Sequence, residues 1–209
     1  MANSLFTIIA YLIGSIPFAL VVSTTMGLSD PRTYGSKNPG ATNVLRSGKK
    51  IAALLTLLGD ACKGWLTVWL VKHISAACRL DAFSVALASI SVFLGHLYPV
   101  FFCFKGGKGA ATAAGVLFGI EPVLGIATVS IWIIITVLFR YSSLSALISA
   151  LFTPLFYLFI FGCNPIAVAI ILMGILLVWR HRMNISNLLA RRESRIGNKE
   201  GMFHGSSNS

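Results

Sequence analysis

With 209 residues, 56% of them hydrophobic and only 11% charged, the chain has too little polar surface to cover a water-soluble globule. Its mean hydropathy of +0.82 and its near-continuous apolar runs mark an all-α, polytopic membrane protein. A net charge of +11, spread over the segments between those runs rather than along one soluble face, argues against nucleic acid and for anionic lipid headgroups and an anionic substrate.

The first run, about residues 5–28, lacks a basic amino-terminal region and is interrupted by Gly14-Ser15-Ile16-Pro17. It reads as a retained, kinked helix and not as a cleaved signal peptide. A polar loop follows, Gly35-Ser36-Lys37-Asn38-Pro39-Gly40-Ala41-Thr42-Asn43, with Arg46 close behind. The second run, 51–71, contains Asp60 and Lys63, whose spacing predicts a structural ion pair. The third, 83–104, carries His96 and leads into Phe104-Lys105-Gly106-Gly107-Lys108-Gly109.

Runs 110–120 and 122–139 meet at Glu121-Pro122 and read as two spans, with six spans plus a re-entrant segment as the alternative. Runs 143–161 and 165–179 complete an expected total of about seven. With the amino terminus outside and the carboxyl terminus cytoplasmic, the inner segments hold Arg32, Lys37, Arg46, Lys49, Lys50, Lys105, Lys108, Arg140, Arg180, Arg182, Arg191, Arg192, Arg195 and Lys199, as the positive-inside rule requires. Residues 1–190 form one membrane domain, and 191–209 a polar cytoplasmic tail. Cys62, Cys78, Cys103 and Cys163 show no close pairing and read as packing residues, with no metal site or cofactor implied.

The two glycine-containing loops carry the chemistry. Gly40-Ala41-Thr42 echoes Gly109-Ala110-Ala111-Thr112, each glycine preceding helical sequence. A helix start presents unpaired amides, and a glycine before it lets a phosphate approach the backbone. With Lys105, Lys108 and Arg46 beside them, these loops read as two anion sites. His96 and His181 lie at the same membrane edge, and Asn184 stands one helical turn beyond His181. The aspartates are too scattered for a magnesium-dependent lipid synthase, and no Gly-Lys-Ser/Thr closes the glycine loop as in a nucleotide-hydrolysing P-loop. A small membrane transporter for phosphorylated metabolites is the alternative, since it too would need cations and broken helices.

In order and spacing these motifs resemble the bacterial acyl-phosphate-dependent glycerol-3-phosphate acyltransferases of the inner membrane. The match runs from Gly14-Ser15-Ile16-Pro17 through Asp30-Pro31-Arg32, the Gly35 to Asn43 loop, Gly59-Asp60-Ala61-Cys62-Lys63-Gly64 and the stretch from Gly95 to Thr112. It resumes at Tyr141-Ser142-Ser143-Leu144 and at His181-Arg182-Met183-Asn184-Ile185. The resemblance implies transfer of a fatty acyl group from acyl phosphate to the 1-hydroxyl of glycerol 3-phosphate, giving lysophosphatidic acid and inorganic phosphate. It implies no cofactor and no obligate protein partner beyond membrane lipids.

By the same resemblance Ser36 and Arg46 are the essential residues of the first motif, the Gly106 to Gly109 loop binds phosphate, and Ser143, His181 and Asn184 line the active site. Glu193 matches a glutamate tied to structural integrity. Catalytic roles are expected of Ser36, Arg46, His96, His181 and Asn184. Substrate contacts are expected of these except His96, and of Asn38, Asn43, Lys105, Gly106, Gly107, Lys108, Gly109 and Ser143. The proton acceptor is open between His96, His181 and the substrate phosphate. The last motif departs from the family pattern in having Asn187 where arginine is common and Arg191 where glycine is common.

Overall fold

The structure is a computed structural model that describes residues 2–78 and 81–197. Arg79, Lys199, His204 and the Gly205 to Ser209 end of the expected tail lie outside the described residues. Among those described there are ten α-helices and no strand: α1 (Ala2–Gly14), α2 (Phe18–Thr25), α3 (Ala41–Leu45), α4 (Lys50–Cys78), α5 (Ala82–Leu97), α6 (Ala110–Ile120), α7 (Pro122–Phe139), α8 (Ser142–Phe161), α9 (Pro165–Arg180) and α10 (Arg182–Leu189). A short 3-10 turn, Val100–Phe102, follows α5.

Proline and glycine set the breaks. The Gly14 to Pro17 interruption bends α1 against α2 by 41°, as expected of a kinked first run. Pro122 starts α7 directly after the last turn of α6, since a missing N–H costs nothing at a first helical position. Four segments are long and apolar enough to cross a membrane: Lys50–His73, Ala82–Phe102, Pro122–Phe139 and Ser142–Phe161. The count rises to six if α1 with α2, and α9 with α10, each form one bent span. The eleven residues of α6 rise only about 17 Å, well short of the ~30 Å of hydrocarbon. The seventh span expected from sequence is therefore a short helix that does not cross alone.

What α6 lacks in length it recovers by packing on α4 at backbone contact. A Cβ on Gly115 would stand 1.9 Å from the Ala61 carbonyl oxygen, and one on Gly64 would stand 2.4 Å from that of Thr112. Small residues allow such approach, and in lipid close packing takes the place of a hydrophobic driving force between helices. Val68, Val92, Phe93, Leu97, Val116, Ile120 and Leu124 fill the core between α4, α5, α6 and α7. Val137, Leu138, Leu155 and Phe159 stay exposed on α7 and α8, facing outward as lipid contacts should. Hydroxyl pairs join these two helices internally, Thr128 to Thr153 at 2.9 Å and Thr136 to Ser145 at 2.8 Å. Cys62, Cys103 and Cys163 are free and exposed, so they are surface residues rather than the packing residues expected.

The Gly115→Ala variant tests the α4 and α6 contact. Its methyl group must displace backbone, which costs about 1–3 kcal/mol and lowers the thermal midpoint in detergent. An unchanged midpoint would contradict this packing.

Candidate active site

The first polar loop is built around Asn43, which is 2% exposed. Its Nδ2 donates to the Pro31 carbonyl at 2.6 Å and that of Tyr34 at 3.2 Å, while its Oδ1 accepts from the Ser36 amide at 2.9 Å. All three bonds stay within the loop, so Asn43, expected to contact substrate, shapes the loop that presents Ser36. A side chain on Gly35 (φ +56°) would meet Asn43 Oδ1 at 2.3 Å, which reserves that position for glycine. Upstream, Asp30 accepts from the Arg32 amide at 2.8 Å and pairs with its guanidinium at 2.6 Å, closing the entry turn. Ser36 and Lys37 are exposed, Asn38 is half-buried, and exposed Arg46 donates to the Ser194 hydroxyl.

The second loop runs from α5 to α6 behind a buried polar cluster. Lys63 Nζ lies 2.8 Å from Asp60 Oδ1 and donates to the Ile16 carbonyl at 2.6 Å, so the expected ion pair is present and also plugs the break after α1. His96 Nδ1 faces the same Asp60 oxygen at 3.4 Å. The His96 carbonyl accepts from the Gly107 amide at 3.2 Å, and a Cβ on Gly107 would stand 2.3 Å from His96 Nε2. His96, expected among the catalytic residues, is thus buried beneath the loop and supports it. Gly109 (φ +89°) ends the loop and precedes the first turn of α6. Lys105 is exposed just after Cys103 and Phe104, while Lys108 is partly buried.

Lys108, Asn184, Glu193 and Ser143 form one hub. Lys108 Nζ donates to Asn184 Oδ1 at 2.6 Å, and Asn184 Nδ2 donates to Glu193 Oε1 at 2.7 Å. Ser143 Oγ, buried at the start of α8, donates to the same Glu193 oxygen at 2.6 Å. Burial pushes the Lys108 ammonium's pKa down, Arg46 and Arg180 push the same way, and Glu193 opposes them. α9 ends at Arg180 and the chain bends by 57° into α10, whose first turn, capped by His181, holds His181 and Asn184 at the spacing expected from sequence. Asn184 reaches the hub directly, and His181 stands one turn before it. The polar side chains of Arg182, Asn184, Ser186 and Asn187 put α10 outside the hydrocarbon, with His181 at the membrane edge.

His181 is buried, and its Nδ1 lies 2.8 Å from the Leu177 carbonyl. A carbonyl only accepts, so Nδ1 carries the proton and Nε2 keeps a lone pair. Burial pushes this imidazole down to about 4; Lys108 and Arg180 act in the same sense, against the Leu177 carbonyl and Glu193. His181 is neutral at neutral pH.

Two participants escaped the sequence reading. Arg180 donates to the Gly106 and Gly107 carbonyls, and Ser194 holds Arg46. Arg180 resembled one more cation at a span end, and Ser194 lay in a polar tail without periodicity. A cavity of about 490 Å³ lined by Tyr141, Leu188, Arg191, Glu193 and Arg195 opens beside the hub.

The divergent last motif is also accounted for. The Arg192 amide bonds the Asn187 carbonyl at 2.7 Å and the Arg191 amide bonds that of Leu188 at 3.1 Å, a Schellman ending to α10 with Arg191 at its left-handed position (φ +56°). The turn that delivers Glu193 therefore survives, with arginine in the conformation that glycine adopts freely. Arg191→Gly is expected to stabilise the protein by about 0.5–1 kcal/mol after glycine's greater entropy cost. A lower unfolding midpoint for that variant would contradict the strain.

Comparison with known proteins bears on this site as a whole. The family profile described as glycerol-3-phosphate acyltransferase matches residues 4–191. Proteins named glycerol-3-phosphate acyltransferase from Paraburkholderia phymatum and Burkholderia pseudomallei strain K96243 are each 64% identical, over 96% and 93% of this chain and 95% of each relative. Crystal structures of PlsY (YgiH), an integral membrane glycerol 3-phosphate acyltransferase, superpose closely. Its glycerol 3-phosphate form gives a TM-score of 0.88 at 35% identity, covering 97% of this chain and 100% of that one. Its lysophosphatidic acid form gives 0.86 at 34%, covering 96% and 98%. With the family profile spanning the first loop, the glycine loop and the hub residues Lys108, Ser143 and Asn184, the chain belongs to the glycerol-3-phosphate acyltransferase family.

Proposed function

We propose that this protein transfers a fatty acyl group from acyl phosphate to the 1-hydroxyl of sn-glycerol 3-phosphate, releasing lysophosphatidic acid and inorganic phosphate for phospholipid synthesis. The observation that carries the reading is the convergence of Lys108, Asn184 and Ser143 on Glu193, with Arg46 held by the adjacent Ser194 and His181 one helical turn before Asn184. Two phosphate-bearing substrates account for two cationic loops. The crystal forms of PlsY with glycerol 3-phosphate and lysophosphatidic acid support the acceptor, and the acyl-phosphate donor rests on the motif resemblance.

Acyl phosphate is a mixed anhydride with a good leaving group, so positioning and charge stabilisation suffice. In this reading Lys108, Lys105 and the amides of the Gly106 to Gly109 loop hold one phosphate, while Arg46, Ser36 and Asn38 hold the other. Ser143 and Asn184 orient the glycerol hydroxyl with His181. The hydroxyl oxygen attacks the carbonyl carbon, the bond from that carbon to the phosphate oxygen breaks, and phosphate leaves with its electron pair. Two proton acceptors compete. His181 Nε2 is unprotonated but weakly basic at about 4, whereas a phosphate monoester has a second pKa of about 6. The substrate's own phosphate is the stronger base, and His181 holds the hydroxyl in line. No metal or organic cofactor enters this scheme.

In the same reading the chain crosses the bacterial inner membrane seven times, with the amino terminus outside. The glycine loop brings α6 up to the required depth, the site faces the cytoplasm, and residues 191–209 extend the membrane domain of 1–190 as a cytoplasmic tail. The positive-inside distribution of lysine and arginine supports this orientation.

Purified protein in lipid, supplied with acyl phosphate, should release inorganic phosphate only when glycerol 3-phosphate is present, with lysophosphatidic acid formed in step. Phosphate release independent of the acceptor, or none from folded protein, would contradict the reading and favour a vesicle flux assay for transport. Arg46→Lys should lose at least about tenfold in kcat/KM, because an ammonium cannot reproduce a bidentate fork. Near-normal activity would remove Arg46 from the site.

A further inference from the structure

Arg180 is a charged residue that this mechanism does not use, and its geometry is specific. Its Nη2 donates to the Gly106 carbonyl at 2.7 Å and to the Gly107 carbonyl at 2.9 Å, and its Nε reaches the Gly107 carbonyl at 3.1 Å. The guanidinium lies 5.6 Å from the centre of the Tyr98 ring, which backs it against the end of α5. Its Nε and Nη2 donors go to two consecutive peptide oxygens. Its charge is therefore engaged with the loop and is not aimed at a ligand.

Peptide geometry turns that clamp into a consequence for the site. A trans peptide is planar, so its C=O and the following N–H point in opposite directions. The Gly106 carbonyl on Arg180 sends the Gly107 N–H the other way, where it meets the His96 carbonyl at 3.2 Å. The Gly107 carbonyl on Arg180 likewise turns the Lys108 N–H away from Arg180. The Lys108 and Gly109 amides make no hydrogen bond with any described residue. One N–H is thus spent on anchoring the loop, and the next two have no partner among the described residues. A methyl group on Gly106 would stand 2.1 Å from the His96 carbonyl oxygen, so the loop has no room to turn over.

We infer that Arg180 is a positioning residue: by gripping the Gly106 and Gly107 carbonyls against His96, it fixes the Lys108 and Gly109 amides toward the phosphate that the loop holds. The inference rests on the acyltransferase reading for its substrates. A cation on the far side of a peptide also polarises it, which makes the outward N–H a stronger donor. Lysine at this position keeps the charge but cannot span two carbonyls with one rigid fork.

The test compares full-length wild type, Arg180→Gln and Arg180→Lys in lipid. KM and kcat are measured for each substrate, and inorganic phosphate is used as a probe in a thermal-shift titration. The clamp predicts that Arg180→Gln raises KM for one phosphate-bearing substrate by at least about tenfold, the loss expected for a charged hydrogen-bond array, and leaves the other KM nearly unchanged. Phosphate should stabilise wild type and fail to stabilise Arg180→Gln at the same concentration, with Arg180→Lys in between. Unchanged KM values with a normal phosphate shift, or equal rises in both KM values, would overturn the clamp. If Arg180→Gln does not fold, the same comparison is read from Arg180→Lys. No turnover from wild type would sink the acyltransferase reading, whereas the phosphate shift still decides for or against the clamp.

Discussion

A carboxylate and an ammonium 2.8 Å apart, both almost sealed from solvent inside a membrane helix, are the interaction on which the rest of this structure depends. Either ion alone would cost several kcal/mol in that setting, and removing one partner of such a pair costs about 3–5 kcal/mol. Asp60 and Lys63 tolerate burial because they neutralise each other and each has a further polar neighbour. Lys63 reaches the Ile16 carbonyl that the break after α1 leaves free, and Asp60 faces His96. The pair therefore joins three elements: the broken first helix, α4, and the end of α5. His96 in turn is the floor on which the glycine loop rests. A structural ion pair inside the bilayer thus underlies the geometry of the glycine loop for which phosphate binding is proposed.

The same logic explains why the polar groups gather where they do. In hydrocarbon, backbone and side-chain polar atoms must be satisfied by the protein itself, so irregular chain is confined to an edge or a protected cavity. Here the first loop, the glycine loop, the start of α8, the bend at His181 and the residues after α10 all come together. The residues after α10 act as a strap. Glu193 accepts from Ser143 and Asn184, Ser194 from Arg46, and Ile196 exchanges bonds with Arg140, by its amide at 2.7 Å and its carbonyl at 2.8 Å. These contacts order side chains on elements far apart in sequence, which is what a two-substrate reaction at a membrane surface requires.

Much of this was legible in the sequence, for reasons that differ between residues. The apolar runs and their Gly and Pro interruptions marked the helices because periodic burial and missing N–H donors are local properties. Gly40 and Gly109 marked helix starts for the same reason, and the three-residue spacing of Asp60 and Lys63 predicted their pairing. What stayed hidden depends on contacts between distant segments. Asn43 looked like a ligand residue, and only the fold reveals that its three bonds close its own loop. Arg180 looked like an interfacial cation because nothing local announces that two carbonyls 74 and 73 residues away will face it. The spacing of His181 and Asn184 holds because the bend after Arg180 precedes the turn they share, and the sequence did not show that Asn184 meets Glu193. The span count failed to resolve because α6 gains its stability from glycine contacts with α4 and not from its length.

The most direct measurement is a crystal structure of the protein with glycerol 3-phosphate and a non-hydrolysable acyl phosphonate bound together. The account predicts two phosphorus centres at one membrane edge. One should lie against the Lys108 ammonium and the Lys108 and Gly109 amides, the other beside Arg46 and Ser36, with the glycerol hydroxyl within reach of His181. Anions bound at mid-membrane, or both away from the α5 to α6 loop, would contradict it.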